Sequence, residues 1–529
     1  MTDSKHASFF LISPYSDITA PGVRALSAVL RQAGYRVRSL FLQDVTLLPE
    51  NRFQPDFARK YPNRVLDQVA ELAQGFDLAG ISLMTNYFHH SVQLTDHLHK
   101  QLGIPVVWGG IHPTVRPEEC IEHADAACIG EGEDAMLEVM ERLEHVRDLN
   151  TWYGRPAHVK AEEFSGIRNI WNRGGDRPEL RPLITDLDSL PFSDLNFDEQ
   201  FVLLPDGENI EPLTDQWFVS YASNRVLWDD DKMLYQILTS RGCPYGCTFC
   251  VNWYTRKLYK GQKVYRRRSF PNVFEELEQA AARFPIGHFV FSDDSFFATS
   301  EEELESFAEE YKRRFRIPFR CLATPNAVTE RKVRALKSAG LCYVEVGIQS
   351  CASETLAMYR RKWGGVEHVR NAALIFSGHP SIEVLYDVII DNPWEPVEDT
   401  VQTLREIVEL PRPYLLQLFS LTLFPGTELY ERGVREGLIG DIHKEVYQKH
   451  YQSREFTYFS VLLSLIYRQY PRWILRFLLC TPMVRIFHRN YLKPLYKSIY
   501  ESAKMLRTMK RRLLGRREGA VEGVVNNAA

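Results

Sequence analysis

Short apolar runs alternate with amphipathic stretches through the first 145 residues. Phe9 to Ile12 is apolar and breaks at Ser13-Pro14, the pattern of a buried strand leaving into a loop. Val23 to Gln32 repeats apolar residues at helical spacing and stops at Gly34. Arg36 to Leu42, Leu78 to Leu83, Pro105 to Trp108 and Ala126 to Ile129 read as further strands. Ser91 to Leu102, ending at Gly103, and a stretch running through Leu143 read as helices. Strands and helices at this interval predict a doubly wound parallel sheet. Ligands on such sheets lie beyond the carboxyl ends of the strands. Here those ends open into the loops 13–22, 84–90, 109–116 and 130–134.

The pattern lapses between 146 and about 235, where Pro, Asp and Asn are frequent, and then resumes with a second series. Met233 to Thr239, His288 to Ser292, Phe319 to Ala323, Tyr343 to Ile348, Val384 to Ile390 and Leu415 to Leu421 read as strands. Helices such as Pro271 to Phe284 and Glu330 to Ala339 separate them. Six β/α units predict a partial (β/α)6 barrel of the TIM type, with catalytic groups at the carboxyl ends of its strands. Beyond the closing helix Glu428 to Glu436, Phe456 to Ile466 is apolar but too short for a bilayer, which needs about 20 residues. The division predicted is an α/β unit over 1–148, a connector over 149–232, the barrel over 233–440 and a helical region over 441–529 with a disordered tail.

Composition changes this picture little. With 529 residues, 45% hydrophobic and 25% charged, the chain has the material for two to four ordinary globular domains. Nine cysteines without regular pairing and a polar start predict a reducing cytoplasm. Charge distribution is more informative. Between Arg454 and Arg517 fifteen Lys/Arg face only Glu455 and Glu501, a local +13 that leaves −17 for the rest of a chain whose net charge is −4. An acidic body argues against nucleic acid as a partner. In the tail, Arg468, Arg472 and Arg476, then Arg485, Arg489, Lys493 and Lys497, recur every fourth residue among aromatic and aliphatic side chains. Either these helices pack on the barrel with a solvated basic face, or they lie on anionic lipid as a peripheral contact.

The strongest chemical signal is Arg241-Gly242-Cys243-Pro244-Tyr245-Gly246-Cys247-Thr248-Phe249-Cys250. A structural zinc site wants four protein ligands, yet no histidine is near and the next cysteine is Cys321. A disulfide cannot use three thiols. Four-iron clusters normally take four cysteines, so three would leave one iron open to a substrate or cofactor. At other strand ends stand Asp293-Asp294, Gln349-Ser350 and Asp391-Asn392. Such residues serve equally well as caps of the following helices. Gly109, Gly110, Gly130 and Gly132 suit either tight turns or close approach of backbone to a ligand.

With Phe249 before the third cysteine, the Cys-x3-Cys-x-aromatic-Cys loop resembles that of radical SAM enzymes. The resemblance implies that Cys243, Cys247 and Cys250 hold a [4Fe–4S] cluster. The open iron would chelate S-adenosylmethionine, and reduction would release a 5′-deoxyadenosyl radical. It places Asp293 and Asp294 near the methionyl amino group, Gln349 and Ser350 near ribose or carboxylate, and Phe249 beside the cofactor. Residues 8 to 145 resemble the cobalamin-binding domain of a large radical SAM subgroup. The matching stretches are Ile81-Ser82-Leu83-Met84-Thr85, Trp108-Gly109-Gly110-Ile111-His112-Pro113-Thr114 and Gly130-Glu131-Gly132-Glu133. Asp186 to Phe192, Asp391 to Glu395 and Phe424 to Thr427 also resemble that subgroup. Thr85, Gly109, Gly110, His112, Gly130, Glu131 and Gly132 are thereby expected around cobalamin. The Asp-x-His-x-x-Gly signature, whose histidine ligates cobalt, is absent. His112 is accordingly expected as a loop residue near the corrin, and His89 and His90 as surface residues at a helix start.

The function implied is methylation of an unactivated carbon in a small or lipid-like substrate, served by an external electron donor of flavodoxin or ferredoxin type. A ring-forming or rearranging radical enzyme and a non-catalytic iron–sulfur protein are the alternatives.

Overall fold

The computed structural model describes residues 5–15, 17–42, 57–152, 161–223, 233–361, 364–449 and 457–498. The first sheet contains β1 (Ser8–Ser13), β2 (Arg36–Phe41), β3 (Leu78–Ser82), β4 (Val106–Gly109), β5 (Ala126–Cys128), β6 (Ile170–Asn172), β7 (Gln200–Leu203) and β8 (Ile210–Pro212). Its order is β6-β5-β4-β3-β1-β2-β7-β8. All six residues of β1 are buried, as expected of a central strand covered by helices on both faces. β1 pairs in parallel with β2 on one side and β3 on the other. Strand order therefore reverses between β1 and β3, and a crevice opens at their carboxyl ends.

Two features differ from expectation. The helix Asn63–Ala73 was not anticipated, although Val65, Leu66, Val69, Ala70 and Ala73 form its buried stripe. The predicted connector also supplies strands to the sheet. β6 adds antiparallel to β5, β7 pairs in parallel with β2, and β8 turns back on β7. Both edges of the sheet are completed by these late strands, which short runs and intervening prolines hide from periodicity. The buried guanidinium of Arg24 secures this segment by donating to Asp194 O at 2.6 Å and Gln200 Oε1 at 3.1 Å.

The second sheet is a curled half-barrel. It comprises β9 (Met233–Ile237), β12 (Ile286–Phe291), β13 (Phe319–Ala323), β14 (Leu341–Gln349), β15 (Glu383–Ile390) and β16 (Leu415–Ser420). All six are parallel and stand in sequence order. Between β9 and β12, the short strands β10 (Ser240–Arg241) and β11 (Arg266–Arg267) form an antiparallel ribbon at the mouth. The outer helices start at side-chain caps, including Ser269, Thr329 and a Ser300–Glu303 capping box.

After the barrel, residues 440–449 cross back to the first sheet. Asn86 Nδ2 donates to Tyr447 O at 2.8 Å, and the Tyr447 hydroxyl donates to Glu119 Oε2 at 2.5 Å. The helices Tyr458–Tyr467, Arg472–Leu478 and Thr481–Phe487 then pack on the barrel. Arg472 donates to Val408 O and Leu410 O, and Arg476 pairs with Glu409 at 2.6 Å. Two members of the first arginine series thus hold the helices to the barrel. The expected disordered tail lies outside the described residues.

Candidate cofactor site between the two sheets

The carboxyl edges of the two sheets share a cavity of about 490 Å³. Gly80, Ser82, Gly109 and Gly110 line it from the first sheet, and Ile237, Arg241, Ser292 and Asp294 from the half-barrel. Leu187, Leu190 and Pro191 of the connector close its side. A Cβ added at Gly109 would meet nothing nearer than Cys128 at 3.9 Å, so that position is an open cradle. Gly110 has φ +98 and an added Cβ would lie 2.9 Å from Leu83 O, so its glycine is required by the turn itself. Gly130 is required by a neighbour: with φ +82, its Cβ would fall 1.9 Å from the Tyr259 hydroxyl. Gly132 and Glu131 also line the cavity. The Glu131 carboxylate, however, accepts from Arg241, Arg266 and the Ile184 backbone. Burial pushes its pKa up, but the two guanidiniums outweigh that and hold it below the usual glutamate range.

Thr85 and His112, expected beside the cofactor, are instead turned into the core of the first domain. His112 is fully buried, with Nδ1 3.2 Å from Thr85 Oγ1 and its ring packed edge-on against Phe88 and Tyr447. Burial, aided by Arg116, drives its pKa down to about 3. The helix Phe88–Leu102 starts three residues earlier than its apolar spacing suggested. That draws His90 inside, where Nε2 lies 2.7 Å from Arg59 O, while His89 is half-buried beside His443. No histidine lines the cavity among the described residues.

On the half-barrel side, Cys243 and Cys247 are buried and Cys250 is partly buried. Gly242 turns the chain with φ +75, and an added Cβ would lie 2.6 Å from Val264 O. The cysteine loop is then tied across the barrel mouth: Thr248 donates to Tyr359 O and Met358 O and accepts from Leu429 N at 3.1 Å. Phe249 stacks edge-on against Tyr359 at 5.0 Å, and Tyr359 accepts from Asn392 at 2.9 Å. Two side chains absent from the sequence-based expectation reach the sulfurs. Asn252 Nδ2 lies 3.6 Å from Cys250 Sγ, and Arg361 Nη1 lies 3.6 Å from Cys247 Sγ. Arg361 was not legible because it is more than a hundred residues from its cysteine, and Asn252, only two residues past Cys250, because nothing in local spacing shows which way its amide turns.

Burial pushes the Cys243 thiol up to about 12 and Cys250 to about 11, so both are protonated thiols at neutral pH, and iron binding must displace their protons. Among the described residues, no three His, Cys, Asp or Glu side chains close on a point as ligands of one metal ion do. Three cysteines from one loop, with an amide and a guanidinium directed at two sulfurs, suit an anionic cluster.

The paired aspartates divide their roles. Asp293 is buried and accepts from Thr239 N and Oγ1, both at 2.9 Å, and from the Ser240 hydroxyl. It anchors the end of β9, and burial raises its pKa to about 6. Asp294 is exposed to the cavity and accepts from Asn252 Nδ2 at 3.0 Å, and the protein crowded around it still desolvates the carboxylate and raises its pKa. At the end of β14, Gln349 adopts φ +63. The Ser350 hydroxyl is engaged with Thr403 Oγ1 at 3.0 Å and Ala352 N at 3.2 Å.

Residues 7–140 match the model of the B12 binding domain, and residues 237–404 match that of the radical SAM superfamily. Together the two matches span more than half of the chain. The chain belongs to the cobalamin-binding radical SAM enzymes. Such a radical SAM enzyme takes a [4Fe–4S] cluster, S-adenosylmethionine and cobalamin as cofactors, and the cysteine loop and glycine-edged cavity fit that set. The protein is 24% identical over 382 residues to an uncharacterized methyltransferase of Pyrococcus horikoshii, covering 70% of this chain and 72% of that one. It is also 24% identical over 383 residues to the bacteriochlorophyllide d C-8(2)-methyltransferase of Chlorobaculum tepidum, covering 69% and 70%. Its fold resembles the radical S-adenosylmethionine methyltransferase TsrM of Kitasatospora setae, solved with cobalamin and a [4Fe–4S] cluster. That match has a TM-score of 0.58 at 18% identity, and covers 81% of this chain and 78% of TsrM.

Proposed function

We propose that this enzyme methylates an unactivated carbon of a small or lipid-like substrate. The observation that carries the reading is the shared cavity, which brings Gly109 of the first sheet and Asp294 of the cluster side to one space. When bound, the cluster supplies one-electron reduction of S-adenosylmethionine, and cobalamin carries the methyl group.

In this reading Cys243, Cys247 and Cys250 bind the cluster. Asn252 and Arg361 donate to its sulfur ligands, favouring the anionic form. Asp293 holds β9 and the cysteine loop in register. Asp294 and Gln349 are the groups offered to S-adenosylmethionine, while Phe249 is steadied by Tyr359. Gly109 leaves room for cobalamin, and the apolar walls around Leu187 and Leu190 exclude water. An external flavodoxin- or ferredoxin-type donor delivers the electrons.

A lipid-like substrate is supported by the C-terminal helices. Trp473 is 72% exposed, Tyr491 77% and Phe477 58%, among the exposed bases Arg485 and Arg489. No helix among the described residues is long and apolar enough to cross a membrane. The surface therefore suits shallow contact with anionic lipid.

Anaerobic reconstitution with cobalamin tests the central reading. With reductant, S-adenosylhomocysteine should form in proportion to bound cobalamin, and 5′-deoxyadenosine should follow. 5′-Deoxyadenosine without S-adenosylhomocysteine would favour the ring-forming alternative. An intact reduced cluster that leaves S-adenosylmethionine uncleaved would mean a non-catalytic protein. Sedimentation with anionic liposomes tests the lipid contact, which Trp473→Ser/Phe477→Ser should weaken severalfold. Unchanged sedimentation of that variant would remove the lipid argument.

A further inference from the structure

The cysteine segment is enclosed by the β10–β11 ribbon, in which Arg241 and Arg266 are register partners. Residues 242–265, including all three cysteines, lie between them. Both guanidiniums reach out of the barrel to the same carboxylate in the first domain. Arg241 Nη1 is 3.1 Å from Glu131 Oε1. Arg266 bonds bidentately, with Nη2 2.9 Å from Oε1 and Nη1 3.0 Å from Oε2. Ile184 N adds a fourth bond to Oε2 at 2.9 Å. A carboxylate offers about four acceptor positions, so Glu131 has none left for a ligand. Arg241 also holds Glu133 at 2.6 Å, and the Glu131 backbone N–H reaches the Tyr259 hydroxyl. The Arg266 side chain is only 5% exposed and that of Glu133 8%, so these pairs are not a solvated fringe.

We infer that Glu131 is a positioning residue for the iron–sulfur cluster: through Arg241 and Arg266 it clamps both ends of the cysteine segment and couples the cobalamin domain to it. This rests on the reading that the three cysteines hold the cluster. Coupling follows from the geometry. Gly130, Glu131 and Gly132 line the cavity on one side, and the Glu131 carboxylate grips the ribbon on the other. The ribbon is stiff at the point that matters, because Gly242 is pressed against Val264 O immediately before Cys243. A ligand that orders the Gly130–Gly132 turn therefore also orders the cysteine loop. By linkage each cofactor strengthens retention of the other.

The test uses the full chain, anaerobically reconstituted, and measures iron release to a chelator with and without hydroxocobalamin. In the wild-type protein cobalamin should slow release at least fivefold, a coupling of typical size. In Glu131→Gln, which keeps shape but presents an N–H to arginine, the ratio should fall to near one, and the electron paramagnetic resonance signal of the reduced cluster should broaden. Arg241→Lys, which keeps the charge but cannot grip Glu131 and Glu133 together, should give an intermediate ratio. If Glu131→Gln fails to fold, Arg241→Lys decides. Equal ratios in wild type and the folded variants, whether high or near one, would overturn the clamp. A wild-type chain that assembles no cluster would instead overturn the cysteine assignment beneath it.

Discussion

The half-barrel is wholly parallel and the first sheet is parallel apart from β6 and β8; the two face one another with the carboxyl ends of their parallel strands, yet they prepare their ligand sites in opposite ways. The first reverses its strand order between β1 and β3, so a crevice exists by topology alone. Its polar side chains are free to be used elsewhere: Glu131 grips arginines, Thr85 and His112 are turned into the core, and the cavity wall is largely glycine and apolar. The half-barrel keeps its strands in sequence order and has no reversal to open it. Its site is made by side chains carried on loops, with thiols, Asn252, Arg361 and Asp294 brought to the mouth. A crevice needs small residues, whereas a barrel mouth needs specific ones. That is why glycine motifs are ambiguous signals and the cysteine motif is not.

The contrast can be broken most severely at the thiols. Cys247→Ser should abolish cluster assembly and S-adenosylmethionine cleavage, while cobalamin binding persists at reduced affinity. Iron analysis and cobalamin titration on one sample check both halves. Next in size are two glycine substitutions one strand apart. Gly130→Ala sets a methyl 1.9 Å from the Tyr259 hydroxyl at φ +82, and should cost several kcal/mol, on the order of 2–4. Gly109→Ala meets no atom nearer than 3.9 Å, so Tm should hold while cobalamin affinity falls at least tenfold. Equal loss of Tm in both would mean that Gly109 serves the fold and not a ligand.

A smaller effect concerns His112. Its pKa lies at about 3 against an ordinary 6.5, so the neutral ring is favoured in the folded state. The stability it contributes is complete above pH 6.5 and is lost as pH falls toward 3. Between pH 6.5 and 5 this amounts to about 2 kcal/mol. Unfolding followed at both pH values should show that slope, and His112→Asn should flatten it. Smallest is Ser300→Ala, which removes a capping box from the outer layer of the barrel. It should cost about 1 kcal/mol and leave both cofactors bound normally.

Much of this protein is written in local pattern. Hydrophobic periodicity located the first five strands of the first sheet and all six of the half-barrel, because each needs only its own run of apolar residues to be recognised. Spacing within a single loop marked Cys243, Cys247 and Cys250 for the same reason. Tertiary structure decided what depended on partners far along the chain. β6 and β7 are short segments that become strands only on finding β5 and β2. Glu131 looked like a ligand residue beside a glycine turn, until Arg241 and Arg266, more than a hundred residues away, were found on its carboxylate. His112 lay in a loop motif, yet the returning segment with Tyr447 sealed it inside. Periodicity and spacing record what a residue does with its neighbours in sequence. Burial and charge pairing belong to its neighbours in space, and those exist only once the two sheets have met.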